Sequence, residues 1–230
     1  MLKRTLLAAA VLGLSTTAVQ AYEPTGYVTG SIGQARADKP RAVKDVQREF
    51  SAVGSLPGFS SGTSTDRTDT AYKIAVGLQA NPYVALELQY IDLGEASYKA
   101  RASYSDQADS GQLNAKLKTE TSGFGANVVL TYPIEDFSLF AKAGYHNLKT
   151  KGSMRVSGSN SFGDSASASE SKNIRKWTPS FGVGASYNIT PEFAVVAEYE
   201  SYKHVADKKW DGLSMKHDID FASVGLRYNF

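Results

Sequence analysis

The chain contains eight segments in which apolar residues alternate with small or polar ones, and this pattern restricts the possible folds more than any other feature. Alternation with a period of two places successive side chains on opposite faces of a β-strand. Segments of about ten residues are long enough for a tilted strand to cross a lipid bilayer. The predicted strands are Gly26–Gly33, Ala71–Ala80, Tyr83–Leu93, Leu117–Tyr132, Phe137–Leu148, Lys176–Asn188, Phe193–His204 and Lys216–Phe230.

The connections between these segments alternate strictly between short and long. An even number of strands, with short turns at one end and long loops at the other, is typical of bacterial outer-membrane barrels. Closure into a barrel also leaves no unpaired strand edge in lipid. The short turns are Asn81-Pro82, Pro133–Asp136 and Ile189–Glu192, and the long polar segments are Gln34–Thr70, Gly94–Lys116, Lys149–Arg175 and Val205–Met215.

We therefore predict an all-β fold, an eight-stranded antiparallel up-and-down transmembrane β-barrel with short periplasmic turns and long extracellular loops. The apolar face of each strand should contact lipid, and the other face should fill an interior that is only wide enough for side chains. Aromatic residues such as Tyr72, Trp177 and Phe193 occur where the runs begin or end, as an interfacial girdle requires. Within the first long segment, apolar residues at helical spacing predict a short helix over Arg41–Val53.

The N-terminal segment, residues 1–21, is typical of a signal peptide. Lys3 and Arg4 precede the apolar run Leu6–Leu14, and small residues precede a cleavage site after Ala21. The alternative, a membrane anchor helix, would need a longer apolar run than this one. We predict that residues 1–21 are removed on export and that residues 22–230 form the barrel.

Charge and composition exclude several classes of function. The formal net charge is +2, and without Lys3 and Arg4 the basic and acidic residues balance, so no field would gather nucleic acid. Cysteine is absent, which excludes disulfides, thiolate metal sites and cysteine nucleophiles. The three histidines, His146, His204 and His217, are too widely spaced to suggest a metal cluster. We predict no metal and no cofactor.

Five segments resemble a known family: Gly26–Gly33 (GYVTGSIG), Ala85–Gly94 (ALELQYIDLG), Phe137–Gly144 (FSLFAKAG), Val196–Tyr202 (VVAEYESY) and Val224–Phe230 (VGLRYNF). In this order, and with the terminal phenylalanine, they resemble the OmpA-type outer-membrane barrel domain. The resemblance implies an outer-membrane location, contact with membrane lipid and lipopolysaccharide, and recognition of Leu226, Tyr228 and Phe230 by the barrel-assembly machinery. Larger members continue into a periplasmic peptidoglycan-binding domain, and we expect no such tether here. We expect a monomer.

Six charged residues fall on the polar face of the predicted strands. Glu87, Lys142 and Glu198 lie at similar heights above the short turns, and alternate strands of a narrow barrel converge on its axis. Buried charges need partners, so we expect an ion-pair network, which resembles the salt-bridge plug of the family. Two interpretations remain open: a static polar core, or a gate that reopens by exchanging partners. The predicted network comprises Lys73, Lys142 and Arg227 with Glu87, Glu198 and Glu200.

These features predict a structural outer-membrane protein of a Gram-negative bacterium. Its long loops either serve surface interaction, such as adhesion or antigenicity, or form a solvated layer without a dedicated partner. Basic residues at the upper strand ends, including Lys149, Arg155 and Arg175, occur where lipopolysaccharide phosphates would lie.

Three alternatives have different discriminating features. A small gated pore would share the fold and differ in conductance. A lipid A-modifying barrel enzyme would need a histidine base near a hydroxyl, and since no histidine occurs in a His-x-Ser pair, we predict no enzyme. A soluble ligand-binding barrel would expose a broad apolar belt to water.

Overall fold

The computed structural model describes residues 25–106, 109–207, 209–210 and 213–230. The predicted signal peptide, residues 1–21, lies outside the described residues. The elements in chain order are β1 Thr25–Ala37, α1 Arg41–Val53, β2 Phe59–Asp66, β3 Thr68–Asn81, β4 Val84–Ser105, β5 Ser110–Ile134, β6 Phe137–Asn160, β7 Ser165–Asn188, β8 Phe193–Val205, β9 Lys209–Trp210, β10 Leu213–Ser214 and β11 His217–Asn229.

Eight of these strands form a closed antiparallel ring in the order β1, β3, β4, β5, β6, β7, β8, β11. β1 pairs with β3 on one side and with β11 on the other, so the first and last strands close the barrel. At this seam the N–H of Gly26 donates to the carbonyl of Phe230 at 3.0 Å and the N–H of Phe230 donates to that of Gly26 at 2.9 Å. The predicted fold class is confirmed, and helix α1 has the predicted bounds.

The two faces of the barrel wall differ sharply in character. Leu86 and Leu88 on the outer face are 57% and 68% exposed, whereas Glu87 between them is 3% exposed. The same alternation repeats around the ring, so the apolar side chains point away from the barrel and the polar ones point into it. No helix in the described ranges combines the length and apolar character needed to cross a membrane.

Side chains fix the short turns. The Asn81 carboxamide oxygen accepts the N–H groups of Tyr83 and Val84, both at 2.9 Å. The Thr190 hydroxyl accepts the N–H of Phe193 at 3.0 Å. Glu135 adopts a left-handed φ of 54° in the middle turn. Such local bonds replace ladder bonds where the chain reverses.

Two of the predicted loops are mostly strand, and this prediction was wrong. Within Gly94–Lys116, β4 continues to Ser105 and β5 begins at Ser110, and within Lys149–Arg175, β6 and β7 continue beyond the barrel. The ladder between neighbouring strands simply propagates upward, where each paired backbone group remains satisfied. β2 pairs with the upper part of β4 and adds a fifth strand. We call this projecting sheet the extension; it consists of Phe59–Asp66, Glu95–Ser105, Ser110–Glu120, Lys151–Asn160 and Ser165–Asn173.

Candidate functional site

The barrel interior brings together most of the predicted site residues, and its lowest level is a cavity at the periplasmic end. The cavity has a volume of about 440 Å³ and is lined by Tyr27, Arg227 and residues of the short turns. The guanidinium carbon of Arg227 lies 4.2 Å from the centre of the Tyr27 ring and 5.9 Å from that of Phe140. Cation–π contact with two buried rings therefore fixes the arginine at the upper end of this cavity.

Arg227 departs from the predicted ion-pair network. Its Nε donates to the Thr29 hydroxyl at 3.3 Å, and no carboxylate among the described residues lies within ion-pair distance. The expectation of direct pairing was wrong because the Tyr27 ring lies between the arginine and the carboxylates. Tyr27 links the two levels instead, since its hydroxyl donates to Glu87 at 3.2 Å.

The ion cluster lies directly above, and it joins four strands through five charged side chains. Lys142 Nζ is 2.8 Å from Glu87, 2.7 Å from Glu198 and 3.8 Å from Glu200. Lys73 Nζ is 2.8 Å from both Glu198 and Glu200. The side chains are almost completely buried, so each pair is formed in a medium that screens charge weakly. We refer to Lys73, Glu87, Lys142, Glu198 and Glu200 as the ion cluster.

Neutral side chains add hydrogen bonds to the ion cluster. The Asn127 amide nitrogen donates to Glu87 at 3.1 Å and to the Gln89 oxygen at 2.9 Å. The Gln89 amide nitrogen in turn donates to the Tyr202 hydroxyl at 2.8 Å. These contacts tie Glu87 to β5 and link β4 to β8, while the Asn127 carboxamide oxygen is buried without a hydrogen-bond partner among the described residues.

A buried histidine contacts a serine just above the ion cluster, which the sequence interpretation did not anticipate. His146 Nδ1 lies 3.0 Å from the Ser180 hydroxyl, and the imidazole packs edge-on against Tyr202 with ring centres 5.2 Å apart. The absence of a His-x-Ser pair in sequence therefore did not exclude a hydroxyl next to a histidine in space. Both side chains are fully enclosed, with 0% and 2% exposure, so a substrate has no access to the contact.

An apolar layer covers the ion cluster on its upper side. Ile91, Leu148, Tyr202 and Phe221 are each 1% exposed or less and belong to one packed cluster at the upper end of the barrel. Sequence reasoning missed this layer, although the signal was present: inward positions change from polar to apolar toward the upper strand ends. On β4, for example, Gln89 is followed two residues later by Ile91. We call this cluster the upper apolar layer.

Helix α1 adds a lid to the upper apolar layer. Val43 of α1 is 5% exposed and packs within the same cluster as Leu93 and Tyr98. Burial raises the pKa of Tyr98 to about 12, and its neutral hydroxyl donates to the Asp38 carbonyl at 3.4 Å. The first turn of the helix therefore packs on the upper apolar layer, and the rest of the helix lies against β2 and β4 of the extension.

At the rim of the barrel mouth, Asp218 connects β11 to the end of β8. Burial alone would raise the pKa of this carboxyl, but the His204 N–H, at 2.8 Å, and the Lys203 ammonium, at 3.2 Å, outweigh burial and hold the pKa below its usual value. His204 adopts a left-handed φ of 60° at this point, where the ladder between β8 and β11 shifts register. The bulge thus aims the backbone N–H at the carboxylate.

Interior glycines make room for the packed side chains, and Gly77 gives a clear test. A Cβ at this position would lie 2.0 Å from the Tyr27 ring, whereas a Cβ at Gly30, on the outer face of β1, would meet nothing within 4 Å. We expect Gly77→Ala to lower the free energy of unfolding by about 1–3 kcal/mol through overpacking. Gly30→Ala is the matched control and should be neutral. Adding Tyr27→Ala to Gly77→Ala should make the two effects non-additive, which a double-mutant cycle in detergent measures.

The predicted assembly residues lie on the outer face of the last strand. Leu226, Tyr228 and Phe230 are all exposed. Tyr228 lies between the rings of Phe193 and Phe230, with centres 5.1 Å and 6.2 Å away, so the three aromatics form part of the lower girdle. Their recognition by assembly machinery stays a prediction.

Comparison with known proteins gives a consistent result. A family model described as "Outer membrane protein beta-barrel domain" matches residues 5–230. Outer membrane protein A of Salmonella typhi is 30% identical over 156 residues, and that of Shigella flexneri is 28% identical over 155 residues; each match covers 67% of this chain. The chain spans only 38% of the length of these relatives. Among solved structures, Neisserial surface protein A shows 14% identity with a TM-score of 0.45, covering 91% of this chain and 100% of that chain.

Proposed function

This chain belongs to the outer membrane protein β-barrel family and lies in the bacterial outer membrane, and we propose that it acts there as a closed structural barrel that presents its extracellular sheet at the cell surface. The observation that carries the proposal is the packing of the interior at three successive levels. Tyr27, Phe140 and Arg227 pack at the lowest level, the ion cluster lies above them, and the upper apolar layer with α1 lies above the ion cluster.

The levels support closure in different ways. The ion cluster excludes solvent only as long as its charges keep their partners, because an unpaired buried charge would draw in water. The upper apolar layer carries no charge and excludes water by packing, although its Tyr202 hydroxyl accepts a hydrogen bond from Gln89. A substitution confined to the charged side chains therefore leaves the packing of the upper apolar layer in place.

Planar-bilayer recordings test the closure. We expect the mature wild-type protein to show no stepwise conductance, and the double variant Glu87→Gln with Lys142→Met to stay closed, because the upper apolar layer is unchanged. Adding Tyr202→Ala and Phe221→Ala to that double variant should produce conductance. Recurrent steps from the wild-type protein would contradict the proposal. Heat-modifiable gel mobility provides the control that each variant is folded.

A gated pore is the second candidate, and one contact favours it. Lys142 lies within 4 Å of three carboxylates, so it could exchange partners without a large movement. Exchange alone would leave the upper apolar layer in place, which is why we prefer closure. Wild-type conductance that changes on replacing Lys142 would support the pore instead.

We propose no catalytic role for the Ser180–His146 contact, because a reacting group must be reached by its substrate.

The surface role belongs to the extension, which projects well above the apolar belt and exposes mostly serine, threonine, glycine and charged side chains. The position of this sheet is consistent with a role in adhesion or with antigenicity.

A further inference from the structure

A cavity opens at the mouth of the barrel, above the upper apolar layer. Its volume is about 740 Å³, which is within the range of small-molecule sites. Members of the upper apolar layer, such as Ala37, Val205 and Met215, are next in sequence to residues that line the cavity. A ligand can therefore enter it without opening the barrel interior. We call this space the mouth cavity.

The lining of the mouth cavity is strongly basic. Five cations line it together with two carboxylates, Asp38 and Asp218. Asp218 already pairs with Lys203 at 3.2 Å, and one of the five cations, Lys216, lies 3.8 Å from Asp207. For the other four, no carboxylate among the described residues lies within ion-pair distance. We call these four the mouth cations: Lys39, Arg41, Lys44 and Arg67.

The start of helix α1 adds to the positive charge. Pro40 at the N-cap makes no side-chain cap bond, and the first turn contains no acidic residue. Arg41 and Lys44 lie in this turn instead. Cations at a helix N-terminus are disfavoured, because the aligned peptide dipoles place partial positive charge there. An anion in the mouth cavity would relieve this repulsion between the side chains and the helix end.

A buried histidine gives the mouth cavity a group of a different kind. His217 lines the cavity and is only 5% exposed, and its Nδ1–H donates to the Met215 carbonyl at 2.8 Å. Burial lowers the pKa of His217, so the imidazole is neutral and its Nε2 carries a lone pair. Among the described residues Nε2 has no hydrogen-bond partner. The cavity therefore offers one buried acceptor beside its cations.

We propose that the mouth cavity binds an acidic sugar, that is, a hydroxyl-bearing ring that carries a carboxylate or a phosphate. The acidic group contacts the mouth cations through charge-assisted hydrogen bonds, and a ring hydroxyl donates to His217 Nε2. The described residues that line the cavity include no apolar side chain, so the cavity is unsuited to an aliphatic or aromatic ligand.

Two sources supply this chemistry: a free sugar acid and the acidic end of a glycan chain. The inference rests on the outward-facing mouth of the barrel in the proposed function, but not on closure of the interior.

Calorimetric titrations with matched charge variants test the proposal. The full mature protein in detergent micelles is titrated with glucuronate, galacturonate and glucose 6-phosphate, with the methyl glycoside of each, and with glucose and inorganic phosphate alone. The test variant is Arg41→Gln with Lys44→Gln. The control variant, Lys99→Gln with Lys116→Gln, removes the same charge from the extension, away from the mouth cavity. Heat-modifiable gel mobility shows that each variant is folded.

We expect the wild type to bind at least one acidic sugar, and to bind glucose and inorganic phosphate at least about fivefold more weakly. The test variant should bind that acidic sugar about tenfold more weakly than the wild type, and the control variant should bind it almost normally. A methyl glycoside that binds as tightly as the sugar identifies glycan ends as the ligand, and loss of its binding identifies free sugars. Equal binding of glucose or inorganic phosphate, equal loss in both variants, or no binding of any acidic sugar would overturn the proposal.

Replacing His217 with asparagine separates recognition of the hydroxyl from recognition of charge. The asparagine amide keeps a donor for the Met215 carbonyl and removes the Nε2 acceptor. We expect the affinity for the acidic sugar to fall about fivefold, while the affinity for inorganic phosphate stays unchanged. An equal loss for both ligands would show that His217 only supports the fold of the mouth, and would contradict its contact with the sugar.

Conductance measured on the same samples distinguishes this inference from the proposed closure. A conducting wild-type protein that binds the acidic sugar would contradict closure alone. A silent protein that binds no acidic sugar would contradict the sugar site alone.

Discussion

Replacing Lys142 with methionine is expected to lower the free energy of unfolding by about 3–5 kcal/mol. The ammonium group lies 2.8 Å from Glu87 and 2.7 Å from Glu198, and the side chains are nearly inaccessible to solvent. Methionine fills a similar volume, so the loss measures charge rather than packing. Without Lys142, three buried carboxylates share the single ammonium of Lys73. Urea unfolding of the refolded protein in detergent micelles measures the change.

A compensating substitution distinguishes charge from shape at this site. Adding Glu87→Gln to Lys142→Met removes the carboxylate that depends most on Lys142, and part of the lost stability should return. Lys151→Met is the matched control: its partner Glu120 is 3.7 Å away and both side chains are about half exposed, so the change should be under about 1 kcal/mol. Full stability of the single Lys142 variant would contradict the ion cluster as a stabilising element.

Replacing Leu86 with arginine should cost about 2–4 kcal/mol when the protein is folded into a lipid bilayer. Leu86 is 57% exposed and lies midway along the apolar belt, between Tyr83 at one end and Tyr90 at the other. On the surface of a protein in water the same substitution would be nearly neutral. The penalty arises only if this face contacts acyl chains. Reversible unfolding in phosphatidylcholine vesicles measures it.

The control for Leu86 is a leucine with similar exposure outside the belt. Leu113 of the extension is 42% exposed, and Leu113→Arg should change the free energy of unfolding by less than about 0.5 kcal/mol. Equal costs at the two positions would show that the outer face does not contact lipid and would remove the basis for the membrane orientation.

The barrel itself could be predicted from the sequence because its strands carry two opposed faces. The outer face is held to apolar residues by lipid, and the inner face to small or charged residues by the narrow interior, so alternation is strict at positions such as Leu86, Glu87 and Leu88. The short turns follow from proline and from side chains such as Asn81 that bond locally. Helix α1 was predictable because its apolar residues recur at helical spacing, which places them on the side that packs against β2 and β4.

The outer part of the extension could not be predicted because neither of its faces meets lipid or a continuous core. Residues Ser165–Lys172 read SASASESK and are exposed on both faces. Without an environment that distinguishes the faces, the serines alternate with alanine, glutamate and lysine, so the sequence shows no contrast between an apolar and a polar face, and the strand is specified by pairing with its neighbour. Neighbouring strands are invisible in a one-dimensional pattern, so a polar strand and a polar loop look alike.

The position of Arg227 shows a second limit of sequence reasoning. Its inward face was predicted, and its partner was not, since the choice between Tyr27 and a carboxylate depends on which side chain lies between them. The ion cluster was easier to predict, because Glu87, Lys142 and Glu198 are the charged residues at one height and have little else to contact. The upper apolar layer was overlooked because apolar residues on both faces weaken the alternation that identifies a strand.

The uninterrupted register from Phe137 to Asn160 on β6 has a mechanical consequence. The tip of a flexible loop would sample many positions above the membrane. A hydrogen-bonded ladder that continues into the barrel wall instead holds the tip rigidly in one position. Asn160 stands fifteen residues past Tyr145, roughly 50 Å along the strand. Any molecule that binds the tip therefore binds at a fixed distance from the bilayer. A lateral force on the tip acts on the barrel wall as a torque.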